Sequence, residues 1–363
     1  MWVLRRGETA TLSWLGSDDW AMTDMWDRVD ELVDRAGDIA DLREHRLELL
    51  AARRWRQLGR PVPDELVAQE RFAAVIAMTA PVLLGKVRAA LDGPIVLLKG
   101  PEVAAGYPNP ALRPYKDLDL LVPNARAAQE ALKSAGFEEV GDPAVYVGIH
   151  HLRPLWLRPL PLYVELHSTP KWIESLAPPP TSELLAVAVP SRVGVEGIST
   201  LRPDHHALVL AAHSWAHEPL RRLLELIDVA SMIRGLDPAQ LRALAETWRM
   251  ARVWNTTLSA SESLLENSAA AADPMPLRLW ARNLPAVRRR TVFESHLERW
   301  LATFWALPLR PAFRATGVSA RRALGPAEGE TWSEKLARMR LAFRNASAPR
   351  SQHDRELRER HRD

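Results

Sequence analysis

Residues 95–122 read IVLLKGPEVAAGYPNPALRPYKDLDLLV and hold the side chains best placed to do chemistry. Asp117 and Asp119 stand two apart, with Leu118, Leu120, Leu121 and Val122 around them. A strand has a period of two, so both carboxylates point to one face. Carboxylates held side by side repel each other unless a cation lies between them. Oxygen ligands of this kind suit Mg²⁺ or Mn²⁺, ions that commonly hold the phosphates of a nucleotide. The competing reading is a pair of solvated acids on an edge strand. The apolar neighbours weigh against it, because a buried carboxylate needs a partner.

A second apolar run, Leu162-Tyr163-Val164-Glu165-Leu166-His167, carries Glu165 and His167 on a common face. If it lies beside the first, three carboxylates converge, as a two-metal centre usually requires. His167 is either part of that site or a hydrogen-bonded histidine at a strand end. Upstream, Ile95–Leu98 ends in Lys99-Gly100. Glycine lets the backbone approach a phosphate closely, and Lys99 adds a positive charge beside it. The alternative is a strand-to-helix turn with a solvent-facing lysine. A P-loop is excluded, because the Gly-rich run and its Ser or Thr are missing. Arg113 and Lys116 flank the acids, either to neutralise phosphate charge or as surface counter-charges.

Among the 11 histidines, His150 and His151 are adjacent, and so are His205 and His206. His213 and His217 share a helix face four residues apart. That spacing can bind zinc given a third ligand. Packing against the acidic unit or lining an acceptor pocket ranks higher, since no Glu follows the first His as a zinc peptidase requires. Asp228, on the next helix, could orient one of these histidines or face Arg221 or Arg222.

The elements that must position these groups follow from the apolar spacing. Residues 1–20 are ambiguous, with a short strand pair as one reading. A helical pattern runs from Thr23 to Leu58 with Gly37 as a break, and a helix kinked at Pro81 runs from Asp64 to about Leu91. Strands are expected at Ile95–Leu98, Leu118–Val122, Phe137–Val140, Ala144–Ile149 and Tyr163–Leu166. Residues 101–107 read as a short helix or turn, and Asn124 caps a helix ending at Gly136. Prolines 178–180 open a polar stretch to Pro203. Helices then dominate to about Asn345, and a polar, frayed tail follows.

The 363 residues are 47% hydrophobic and 26% charged, ordinary for a soluble chain. A net charge of +3 and the lack of any block of like charges give no basic arm for nucleic acid. The absence of cysteine excludes disulfides, thiolate zinc sites and a cysteine nucleophile, and fits the cytoplasm. The N-terminal residues lack a secretory apolar core, and no run reaches the ~18 consecutive apolar residues of a membrane helix.

Taken together, these residues resemble the nucleotidyltransferase superfold, in the form found in an uncharacterised bacterial nucleotidyltransferase family. Its pattern is a strand ending in Lys-Gly, here Lys99-Gly100, then an arginine, Arg113, before an Asp-x-Asp strand, Asp117 and Asp119. An acid-x-His strand follows, Glu165 with His167, and then helices with a spaced His pair and an Asp: His213, His217 and Asp228. The resemblance is strongest over residues 94–168 and extends to about 234. The superfold's usual Gly-Ser is Lys-Gly here, and the third acid is Glu165 where Asp is more usual.

The resemblance implies an α+β fold. A small mixed-sheet catalytic core (92–200) would lie between an N-terminal helical segment (1–91) and a C-terminal helical domain (201–345), with a flexible tail (346–363). It also implies a magnesium-dependent transferase. Asp117, Asp119 and Glu165 would hold Mg²⁺ or Mn²⁺. Lys99, Gly100, Arg113 and Lys116 would bind a nucleoside triphosphate such as ATP. A nucleoside monophosphate would pass to a hydroxyl of a small molecule, peptide or protein, with His167, His213, His217 and Asp228 near the acceptor. The alternatives are a non-catalytic nucleotide- or partner-binding module, favoured by the missing Gly-Ser, and γ-phosphoryl transfer. A nucleic-acid-modifying role ranks below these.

Overall fold

The computed structural model describes residues 18–141, 151–173, 176–217, 219–265, 282–307 and 331–350, with a few short pieces between 309 and 353. The possible strand pair before residue 18, the expected strand at 144–149 and His150 lie outside the described residues.

The long helical pattern at the start resolves into three helices, α1 (Asp18–Asp34), α2 (Ile39–His45) and α3 (Glu48–Gln57). Asp38 caps α2 by accepting from the Asp41 N–H at 2.7 Å. Arg46 ends it in the left-handed region, at φ 57°. Helix α4 (Asp64–Ala90) continues through Pro81. By length and composition alone it could cross a membrane. Here one side of it, with Ile76, Leu83, Leu84 and Val87, packs against the sheet, while Phe72, Val75, Met78 and Val82 are exposed.

The sheet begins with β1 (Val96–Leu97), followed by the short α5 (Pro101–Ala104) and a 3₁₀ turn at Pro110–Leu112. Next come β2 (Asp117–Leu121), α6 (Ala125–Ser134), β3 (Glu138–Glu139), β4 (Leu155–Trp156) and β5 (Tyr163–His167). Asn124 caps α6, accepting from the Ala127 N–H at 3.0 Å. The polar stretch after the prolines is not a plain loop. It holds α7 (Thr181–Ala186), β6 (Ala188–Pro190) and β7 (Ser199–Leu201), and β7 pairs in parallel with β1. The sheet is seven-stranded and mixed, in the order β3-β4-β5-β2-β1-β7-β6.

Helices α8 (Pro203–His217), α9 (Leu223–Ile233), α10 (Pro238–Thr247) and α11 (Ala251–Leu265) follow, then α12 (Val292–Ala306) and α13 (Trp332–Arg344). The segment expected to fray from Ala346 is tied down where it is described. Its Ala346 and Ala348 carbonyls accept from Phe293 and Val292, both at 3.0 Å, and His353 is buried.

The period-two pattern sorts the sheet into two faces. Ile95, Leu97, Leu118, Leu120, Val164 and Leu166 pack under α4 and α6. Val96, Leu98 and Leu121 join a second cluster with α8 and α9, to which the helices preceding the sheet also belong. Asp117, Asp119, Glu165 and His167 lie on this second face by the same alternation. The mixed α+β architecture with helical flanks therefore stands as the sequence implies.

Candidate active site

Strands β2 and β5 are parallel neighbours in a register that sets Asp119 opposite Glu165, Asp117 opposite Tyr163 and Leu121 opposite His167. The two motifs expected to meet are thus adjacent. Ligand atoms of Asp119, Glu165 and His167 all lie within 4.8 Å of one another. His167 Nε2 donates to Asp119 Oδ1 at 3.2 Å. Lys99 Nζ stands 3.2 Å from Asp119 Oδ2 and 3.1 Å from His213 Nε2.

The ligand group differs from the one expected, since His167 takes the third place and Asp117 stands beside it. Asp117 lies two residues nearer the strand's start, opposite Tyr163 rather than an acid. It still borders the same cavities.

The electrostatics are those of a crowded acidic centre. Burial, then the charges of Asp119 and Asp117, push the Glu165 carboxyl up to about 7. Burial and Asp119 raise Asp117 in the same way. Burial also opposes ionisation of Asp119, but Lys99 and His167 outweigh it and hold this carboxyl well below its usual range. Like charges held this close are what a bound cation relieves.

Gly100 has a structural reason of its own. Its φ is +64°, and a Cβ there would lie 3.2 Å from the Asp117 carbonyl oxygen and 3.5 Å from the Tyr115 ring. The Lys99-Gly100 turn is therefore pressed against the start of β2, which aims Lys99 at Asp119. Buried Glu102 locks the turn from behind, accepting from Ser191 Oγ at 2.6 Å and Arg192 Nε at 2.8 Å. Helix α8 is pinned to β1 by His206, whose Nε2 donates to the Leu98 carbonyl at 2.5 Å.

Arg113 and Asp228 correct the expectation for both residues. Arg113 donates from Nε to Asp228 Oδ1 at 2.8 Å and from Nη2 to Oδ2 at 2.7 Å, and Tyr107 adds its hydroxyl at 2.7 Å. All three are buried. Both Asp228 oxygens thus accept from Arg113, and Oδ1 accepts from Tyr107 as well. Burial works against the Arg113 charge, but Asp228 overcomes it and raises the guanidinium's pKa. Held on two nitrogens by Asp228, the guanidinium anchors the loop before β2, and it borders both cavities. His213 faces Lys99, while His217 closes α8 with its side chain outside the described residues. Lys116 is exposed at the rim.

Two cavities meet at the acids. One, of about 460 Å³, lies between α3, α4 and Tyr115. The other, of about 370 Å³, is more polar and carries Lys171, His151, His213, Arg221, Arg222 and Glu225. Arg46, Lys99, Arg113, Asp117 and Asp119 border both. Burial, then the charge of Lys99, lowers the Lys171 ammonium to about 8. Arg46 and Lys171 are absent from the sequence expectation. Lys171 carries a weak signal, four residues past His167 at the exit of β5. Arg46 carries none, because only folding brings α2 to the sheet.

The site thus joins a strand-borne acid pair to an acidic neighbouring strand, with cations and open cavities around them. Residues 39–266 match the family model described as uncharacterised nucleotidyltransferase, and the chain belongs to that family. No match was found among curated proteins or solved structures.

Proposed function

We propose that the protein transfers a nucleoside monophosphate from a nucleoside triphosphate to a hydroxyl of a small molecule, peptide or protein, releasing pyrophosphate. The observation that carries this is the convergence of Asp119, Glu165 and His167, with Asp119 bordering both cavities and Glu165 the polar one. Two carboxylates and an imidazole, with Asp117 beside them, fit a divalent ion. The imidazole favours Mn²⁺ more than an all-oxygen set would. Once bound, such an ion would neutralise phosphate charge and polarise the phosphoryl group.

The chain's own groups do the rest. Lys99, Lys171, Arg46 and Arg222 offer positive charge to the polyphosphate in the polar chamber. Glu165 would help to hold the ion or accept the proton of the attacking hydroxyl. The acceptor oxygen bonds to the α-phosphorus. The bond from that phosphorus to the bridging oxygen breaks, and its electron pair leaves with pyrophosphate. Positioning and charge neutralisation supply most of the acceleration.

One contact favours a second reading, a binding module without turnover. Lys99 already gives Asp119 an internal counter-cation, so the acid is partnered before any metal arrives. Mass spectrometry of candidate acceptors, incubated with each triphosphate and Mn²⁺ or Mg²⁺, separates the two. A gained nucleotide mass, lost in Asp117→Asn with Asp119→Asn, supports transfer. Transfer that survives the double change overturns the acidic centre. Metal-dependent triphosphate binding without pyrophosphate release across a broad acceptor panel supports the module.

A further inference from the structure

The 460 Å³ cavity holds features that the acid chemistry does not use. Its walls are Leu49 from α3, Phe72, Ala73 and Ile76 from α4, and Pro114 and Tyr115 from the loop before β2. Phe72 is 54% exposed, a large apolar surface open to water. Two acceptor atoms of lining residues, Gln69 Oε1 and Glu48 Oε2, are buried with no hydrogen-bond partner among the described residues. A buried acceptor without a donor is costly, and such atoms call for an explanation. Burial also raises the Glu48 carboxyl, against its own backbone N–H and the charges of Arg46 and Arg43.

The two cavities divide a triphosphate naturally. The polar chamber presents Lys171, Arg221 and Arg222 to a polyanion. The cleft presents apolar walls, and the two unpartnered acceptors belong to residues that line it. The acids lie between them, where an α-phosphate would be cleaved from its leaving group. The volume of the cleft falls in the range of small-molecule sites.

Resting on the transfer reading above, we infer that this cleft takes the base of the donor nucleotide, stacked against Phe72 and Tyr115. Glu48 and Gln69 accept N–H bonds from its edge, which selects bases bearing an exocyclic amino group. Uracil offers a carbonyl oxygen where cytosine offers an amino group, so even with its N3–H paired it would set one acceptor against another. The specificity of the catalytic sheet is thereby supplied by α3 and α4, helices that precede it in the chain.

The test is calorimetry in Mn²⁺ without any acceptor. It uses the α,β-methylene analogues of ATP, GTP, CTP and UTP, with inorganic tripolyphosphate as the probe of the polar chamber alone. Phe72→Ala should weaken the best-bound analogue about tenfold, the range for losing one aromatic stacking partner. Tripolyphosphate affinity should stay unchanged, which also reports that the variant is folded. The UTP analogue should bind weakest of the four, and Glu48→Gln with Gln69→Leu should close that gap.

Analogue affinity untouched by Phe72→Ala overturns the inference and gives the cleft to the acceptor. A UTP analogue bound as tightly as the others overturns the readout by Glu48 and Gln69. Parallel loss of analogue and tripolyphosphate in Phe72→Ala overturns the division into two cavities. None of these measurements needs turnover. A chain that binds the analogues as expected but never releases pyrophosphate from true triphosphates sinks the transfer reading and leaves this one standing.

Discussion

Two clusters of buried charge lie close together on the same side of the sheet, and they are built to opposite rules. Around Arg113 every strong group is matched. Its guanidinium meets both oxygens of Asp228, and Tyr107 adds a third bond. Around Asp119 the acids outnumber what is needed to satisfy them. Asp117 and Glu165 are both raised by burial and by their acidic neighbours, which outweigh Lys99, while Lys99 and His167 together hold Asp119 low. The first arrangement is closed and serves the fold. The second leaves two carboxyls raised by their neighbours beside the cavities, the kind of perturbed cluster in which functional sites are found more often than anchors.

The largest effect should come from opening the closed cluster. Asp228→Ala strands a buried guanidinium and should cost about 3–5 kcal/mol in denaturant unfolding. A variant that unfolds like the wild type would remove the distinction between the two clusters. In the crowded cluster the same kind of change should strike activity instead. Asp119→Asn should lower kcat by a factor on the order of 10²–10³, as when one preorganised charge-stabilising group is lost. Its unfolding free energy should fall by much less than that of Asp228→Ala.

Glu165→Gln sharpens the contrast through pH. The folded carboxyl titrates at about 7 against an ordinary value of 4.5, so between those values the folded chain holds a proton that the unfolded chain has released. Stability contributed by this group therefore falls as pH rises through that window. Glu165→Gln should flatten that slope in unfolding curves. It should also abolish the rise of Mn²⁺ affinity with pH through about 7, because only the ionised carboxyl is a ligand. The smallest effect is expected from Lys99→Met. Freed of its internal counter-cation, Asp119 should bind Mn²⁺ more tightly by a few-fold, while tripolyphosphate affinity drops. Equal losses of both would show that Lys99 holds the turn rather than the charge.

Much of the acidic centre was legible because strand periodicity is local. Two acids at i and i+2 must share a face, and Leu118, Leu120, Val164 and Leu166 fix which face is buried. The histidine of Glu165-x-His167 was flagged, yet its place among the ligand atoms depends on register, which no single strand records. The Arg113–Asp228 pair spans 115 residues and was invisible, since an arginine near an acid pair looks the same whether it is free or gripped. Strands β6 and β7 look like a polar stretch in the sequence because each has only three residues, too few for alternation to show. The base-side cleft was missed for a related reason. Leu49, Gln69 and Phe72 sit in ordinary amphipathic helices, and only the way those helices pass Tyr115 turns them into walls.

The parallel ladder between β2 and β5 ties inheritance of chemistry to inheritance of shape. A slip of one residue in that ladder would turn Glu165 and His167 toward α4 and α6 and bring Val164 and Leu166 to the catalytic side. Descendants of this chain therefore have little freedom to re-space the acids without dismantling the layer beneath them. New substrates would have to be acquired at the periphery, in the helices and turns that wall the cavities, while the ladder passes on unaltered.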